Sequence, residues 1–152
     1  VSMISHYPDK PELVSAMSEL AVEEMSHFRE VIKWIHSRGR QLGNDEKDPY
    51  VVQFRKAIRR GTDLYLLDQL LIGGIIEARG HERFGLVAEA LPAGGLKNFY
   101  RAITQSESRH YDVFVNLAYR YLPEEMVTAR LDELLNIEAA IVAALPIRAA
   151  LH

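Results

Sequence analysis

Three stretches of this 152-residue chain carry the same stripe, in which selected residues recur at steps of three and four. Leu13, Met17, Leu20, Glu24, His27, Val31 and Trp34 make the first. Leu66, Leu70, Gly73, Glu77, Gly80, Phe84 and Val87 make the second, and Leu96, Tyr100, Ile103, Glu107, His110, Phe114, Leu117 and Tyr121 the third. That period is one face of an α-helix. Each stripe is apolar or small except near its middle, where a glutamate stands. In the first and third a histidine follows three residues later. A carboxylate on the buried face of a helix is costly unless it is paired or bound to metal. Helices that bring such faces together must solve this problem at one level of their core.

The remainder of the chain reads as helices set apart by Gly and Pro, without a useful strand alternation. Helices are expected at about 11–37, from Pro49 to near Gly61, and from Thr62 or Asp63 to about Ala90. Two more are expected at about 95–121 and 124–145. The connections before Pro11 and at "LPAGG" are tight, and that between Arg38 and Thr62 is long. One long crossover between two hairpins is the topology of ferritin-like bundles. The fold class expected is therefore all-α: a single ferritin-like four-helix bundle over residues 1–152, with an extra C-terminal helix and a first helix cut short. Hydrophobic residues at 48% and charged residues at 26% suit a globular domain. With no Cys, disulfides, zinc–thiolate sites and iron–sulfur clusters are excluded. No apolar run spans a membrane, and a cytoplasmic location is the default expectation. A net charge of −3 gives no strong pull toward nucleic acid.

As isolated words, Glu24-x-x-His27 and Glu107-x-x-His110 are weak; their place on buried stripes is what gives them weight. The i, i+3 spacing lets one helix offer a carboxylate and an imidazole to one ion. With Glu77 they approach the di-iron or di-manganese pattern, in which two helices give one Glu each and two give Glu-x-x-His. Glu77 precedes Glu107 by 30 residues, and the same offset before Glu24 falls about six residues upstream of Val1. A fourth carboxylate is expected there. Glu138, on the stripe Leu131, Leu135, Glu138, Val142 and Leu145, is the alternative within the chain. A satisfied polar network without metal is the competing reading of the whole set. His81 is expected beside the site or at the surface rather than as a ligand, and Asp68, Glu82 and Glu89 lie off the stripe. Gly73 and Gly80 either allow close helix packing or leave room beside the metals. "FRKAIRRG" gathers Arg55, Lys56, Arg59 and Arg60, a solvated helix face or a set of phosphate contacts.

The segments "DKPELVSAMSELAVEEMSHFREV", "LLIGGIIEARGHERF" and "SESRHYDVFVNLAYRY" resemble the MiaE-type bacterial tRNA hydroxylases over nearly the whole chain. The resemblance implies a ferritin-like, nonheme di-iron monooxygenase that hydroxylates the isopentenyl group of 2-methylthio-isopentenyl-adenosine in tRNA. It implies two iron ions held by Glu24, His27, Glu77, Glu107 and His110, with a further Glu from an N-terminal helix. Glu24 and Glu107 would bridge, His27 and His110 would bind one iron each, and Glu77 would be terminal. Dioxygen would be the co-substrate, and electrons would come from an external donor, an electron-transfer protein or reductase. Phe28, Gly73, Gly80, Phe84, Tyr111 and Phe114 would line the prenyl pocket. Arg55, Lys56, Arg59 and Arg60 would meet the anticodon stem-loop, with the prenylated adenosine presented unpaired. The rivals are a ferritin-like iron-storage or peroxide-handling protein without an organic substrate, and a metal-free helical interaction module.

Overall fold

A computed structural model describes residues 2–44 and 46–146, and every regular element among them is helical. The chain divides into two units, Val1–Glu46 and Lys47–His152. The first holds α1 (Ser2–His6) and α2 (Pro11–Ser37), which pack on one another. Pro11 opens α2, where its missing N–H and fixed φ do no harm. The helix ends at Gly39, whose φ of 65° only glycine adopts freely. Gly39 N donates to His36 O and Arg40 N to Ile35 O, satisfying carbonyls at the helix end. Leu13 and Met17 on the expected stripe are buried, and Leu20, Glu24, His27, Val31 and Trp34 are half-buried. Val22, Met25 and Phe28 on other faces are exposed.

The second unit begins with α3 (Pro49–Phe54), capped by the Asp48 carboxylate accepting from Tyr50 N at 2.8 Å. The helix expected to reach Gly61 instead tightens into a 3-10 turn at Arg55–Ala57 and ends. Its long successor, α4 (Thr62–Ala90), is apolar around most of its circumference in its first half. Leu66, Leu67, Leu70, Leu71, Ile72 and Ile75 are all buried, which makes α4 the central rod of this unit. After the turn at 91–94 come α5 (Gly95–Glu107) and α6 (His110–Tyr121), which together run back along α4. Lys97 Nζ donates to the carbonyls of Glu89 and Leu91, closing the end of α4. The final helix, α7 (Glu124–Ala144), lies against α3, α4 and α6.

Two departures from the sequence expectation matter for the site. The helix expected to be continuous over 95–121 is broken at Ser108 and Arg109. The stripe expected on α7 is also rotated: Val127, Arg130, Leu134 and Glu138 face inward, and Leu135 is 44% exposed. Polar anchors fix that rotation. Asp68, fully buried, receives Arg130 Nε at 2.8 Å and Arg130 Nη2 at 3.0 Å. It also receives the Arg59 backbone N–H and two guanidinium nitrogens of Arg59. Burial alone would raise the Asp68 pKa, but hydrogen bonds from Arg59 and Arg130 outweigh it and hold the carboxyl below its usual value.

α4 meets α6 closely because it has two adjacent glycines there. A β-carbon at Gly73 would lie 2.8 Å from Phe114 Cε1, and one at Gly74 would lie 3.2 Å from Phe114 Cβ. At Gly80 the nearest atom would be Phe84 Cε2, at an ordinary 3.7 Å. Gly73→Ala is therefore expected to destabilise the protein by about 1–3 kcal/mol through overpacking, less the gain in helix propensity. Gly80→Ala is expected to leave stability unchanged or raise it by up to about 1 kcal/mol. Urea denaturation of the two variants checks this, and equal effects would contradict the packing assigned to Gly73. Asp68→Asn is expected to cost about 3–5 kcal/mol, because it leaves the buried Arg130 with a neutral partner. Since the folded pKa of Asp68 lies below its unfolded value, its contribution is full above about pH 3.9 and disappears as pH falls through the folded value. Denaturation at pH 7 and at pH 3 should show a smaller loss on acidification in Asp68→Asn than in the unsubstituted protein.

Candidate metal centre

Glu77, Glu107 and His110 come from three helices of the second unit. The sequence predisposes them to meet, since each lies mid-stripe on a face that packs inward. Ile103, Glu107, His110, Phe114 and Leu117 are all buried, so the stripe continues across the break between α5 and α6. The step from 107 to 110 is three residues, which keeps both side chains on one face. His110 Nδ1 lies 2.7 Å from Glu107 Oε2 and 3.6 Å from Glu77 Oε2. One donor atom from each of the three lies within 4.8 Å of the others. His110 and Glu107 are 3% and 4% exposed, so this is a largely dehydrated cluster.

The trio holds two carboxylates and one imidazole. Oxygen and imidazole donors suit iron or manganese. The residues therefore fit a metal ion, with Nδ1 of His110 and Oε2 of both glutamates as the convergent atoms.

The first unit carries the other Glu-x-x-His word on one unbroken helix. There His27 Nδ1 stands 3.7 Å from Glu24 Oε1. Within each word it is Nδ1 of the histidine that turns toward the carboxylate.

Glu138 is different. Its Oε1 accepts from Tyr50 Oη at 3.1 Å and Arg79 Nε at 2.8 Å, and its Oε2 accepts from Arg79 Nη2 at 2.8 Å. Burial first, then the charge of Glu138, pushes the Tyr50 phenol far above its usual pKa, so it stays a proton donor. Hydrogen bonds to Glu138 in turn raise the Arg79 pKa. Glu138 is thus neutralised by a guanidinium and serves as an anchor of α7, which sets it apart from the trio of Glu77, Glu107 and His110.

The other expected residues are scattered. Phe114 closes the space over Gly73, with Tyr111 beside Gly74. Phe84 lies near Tyr100, ring centroids 6.1 Å apart, and Phe28 is 46% exposed. Arg55, Lys56 and Arg60 are exposed, whereas Arg59 is engaged by Asp68. Two features escape sequence reading. The first is the buried Asp68–Arg130 pair, which joins residues 62 positions apart. The second is the break at 108–109, whose only local signal is the pair of serines, Ser106 and Ser108, inside a helical pattern.

The chain is similar to proteins of known kind. It is 34% identical over 136 residues to the tRNA 2-(methylsulfanyl)-N(6)-isopentenyladenosine(37) hydroxylase of Pseudomonas putida, covering 90% of this chain and 65% of that one. It is 32% identical over 131 residues to the protein of the same name from Salmonella typhimurium, covering 86% and 48%. The chain thus spans between about half and two-thirds of the length of the curated relatives it matches. A solved structure, Protein 43 with aldehyde deformylating oxygenase activity from Synechococcus, superposes with a TM-score of 0.90 at 35% identity. That match covers 97% of this chain and 73% of the other. The model of the family described as tRNA-(MS[2]IO[6]A)-hydroxylase (MiaE) matches residues 1–152, and the chain belongs to that family.

Proposed function

We propose that this chain carries the metal-binding core of a nonheme di-iron monooxygenase that hydroxylates the isopentenyl group of 2-methylthio-isopentenyl-adenosine in tRNA. The observation that carries the reading is the buried convergence of His110 Nδ1 with Oε2 of Glu77 and of Glu107, in a chain of this family. Glu77, Glu107 and His110 would hold metal, and the family resemblance adds Glu24 and His27 as a second carboxylate–imidazole pair. Two irons, when bound, supply the activation of dioxygen that cleavage of an unactivated allylic C–H bond requires. One oxygen atom enters that bond, and the other leaves as water with two protons and two electrons from an external donor. The protein's own task is to position and to exclude water. Ile103, Phe114 and Leu117 surround the Glu107–His110 pair on its stripe with apolar side chains, which keeps the reacting centre dry. The exposed Arg55, Lys56 and Arg60 are offered as contacts to the phosphates of the anticodon stem-loop. A tRNA substrate places the protein in the cytoplasm, and no described helix is long and apolar enough to cross a membrane.

The structural relative named for aldehyde deformylating oxygenase activity favours one second reading, oxygen-dependent deformylation of an aldehyde. Iron-loaded protein, given a reductant and oxygen, is expected to add one oxygen to prenylated tRNA, read by mass spectrometry of the nucleosides. Unchanged tRNA alongside conversion of an aldehyde would replace the tRNA reading with the aldehyde one. Iron uptake into a large hollow assembly, seen by light scattering and without product from either substrate, would favour storage. His110→Ala is expected to lose more than the about 10–100-fold in metal affinity that a supporting residue costs. Glu138→Gln is expected to leave metal affinity unchanged while lowering stability. Titration with ferrous iron under anaerobic conditions separates the two, and a large loss of affinity in Glu138→Gln would overturn its assignment as an anchor.

A further inference from the structure

α4 is joined to the broken α5–α6 rod at three successive levels, each about one helical turn, roughly 6 Å, from the next. At the first, Gly73 and Gly74 receive Phe114. At the second, Glu77 faces His110. At the third, His81 Nδ1 lies 2.8 Å from the Thr104 carbonyl oxygen. A carbonyl only accepts, so Nδ1 carries the hydrogen and donates it. Thr104 O also accepts from Ser108 N at 3.2 Å, the last regular bond before the break. Beyond it the ladder fails: Arg109 N reaches Ser106 O at 3.4 Å, and Gln105 O accepts from the Ser108 hydroxyl at 2.7 Å. A serine bond of this kind does not by itself break a helix. Ser18 makes the same bond to Ser15 O inside the unbroken α2. What α5 has in addition is the imidazole of His81 on the last carbonyl that keeps its regular bond before the break.

We propose that His81 is a positioning residue of the metal centre. It ties α4, one turn past Glu77, to the Thr104 carbonyl, one turn before Glu107. By holding that carbonyl it sets the spacing between Glu77 and the Glu107–His110 pair and fixes the two-residue break on which that pair is mounted. His81 hydrogen-bonds to the Thr104 carbonyl rather than to any of the three side chains. The inference rests on the metal reading of the trio.

Three variants test it: His81→Phe, which keeps a ring and loses the donor; His81→Asn, whose amide nitrogen can stand where Nδ1 stood; and His81→Gln, which places its amide one carbon further out. Each is titrated with cobalt(II), following the visible absorption bands that report coordination geometry, and the thermal unfolding of each metal-free protein is recorded. His81→Phe is expected to bind about 10–100-fold more weakly and with altered bands. His81→Asn should restore affinity and spectrum, and His81→Gln should do so less well, with no corresponding order in the unfolding temperatures. Wild-type affinity and bands in His81→Phe overturn the inference and leave the metal reading standing. So does a loss in His81→Asn as large as that in His81→Phe, which would make the role one of packing. If His81→Phe does not fold, the order of His81→Asn and His81→Gln decides in its place, and equal binding by the two overturns the proposal. Absence of cobalt binding by the unsubstituted protein overturns the metal reading, and this inference with it.

Discussion

Buried carboxylate charge, and what faces it, governs the second unit. Three carboxylates there are almost wholly withdrawn from solvent: Asp68, Glu107 and Glu138. Each would be prohibitive alone. Asp68 is met by Arg59 and Arg130, and Glu138 by Arg79. These pairs are made of guanidinium and carboxylate in forked geometry, the arrangement best able to repay desolvation. Glu107 is met by an imidazole that also faces a second carboxylate. The first two solutions complete themselves within the protein. The third instead turns a carboxylate and an imidazole toward a second carboxylate, donors of the kind a divalent metal takes.

The stripes were readable because a helix repeats at 3.6 residues and its buried face must be apolar. That logic places Glu77, Glu107 and His110 on inward faces, and the fold brings their donor atoms together. It failed on α7. There Leu131, Leu135 and Glu138 looked like one face, but Leu134 is buried and Leu135 is 44% exposed. The apolar residues of α7 are too evenly spread to fix its rotation, and long-range pairs to Asp68 and to Arg79 with Tyr50 decide it. No local pattern records a partner 62 residues away. It failed again at Ser108 and Arg109, for a different reason. The side-chain period steps by three across the break, as it would in a continuous helix, so the pattern of faces carries no trace of the interrupted backbone.

The two Glu-x-x-His words show how far sequence similarity and backbone can part. On α2 the word rides an unbroken helix, with Nδ1 and Oε1 3.7 Å apart. On α5 and α6 the same word spans an interruption, and the corresponding distance is 2.7 Å. Spacing in sequence therefore identifies the residue types and the face they share, but not how closely they approach. Helix interruptions at such positions are costly in lost hydrogen bonds and need outside support. Here the support comes from α4.

That makes α4 the reference element of the site. Glu77 sits midway between two contacts to the returning rod: Gly73 and Gly74 against Phe114 on one side, and His81 against Thr104 on the other. Phe114 is one turn past His110 and Thr104 one turn before Glu107, so the two contacts flank the Glu107–His110 pair from both ends. The first contact works through shape, because two missing β-carbons let α6 come near. The second works through a directed hydrogen bond, which fixes axial position as well as distance. A helix held at two levels a few ångströms above and below Glu77 has little freedom to slide or roll. The carboxylate of Glu77 can then face His110 without itself supplying the energy that holds the helices together.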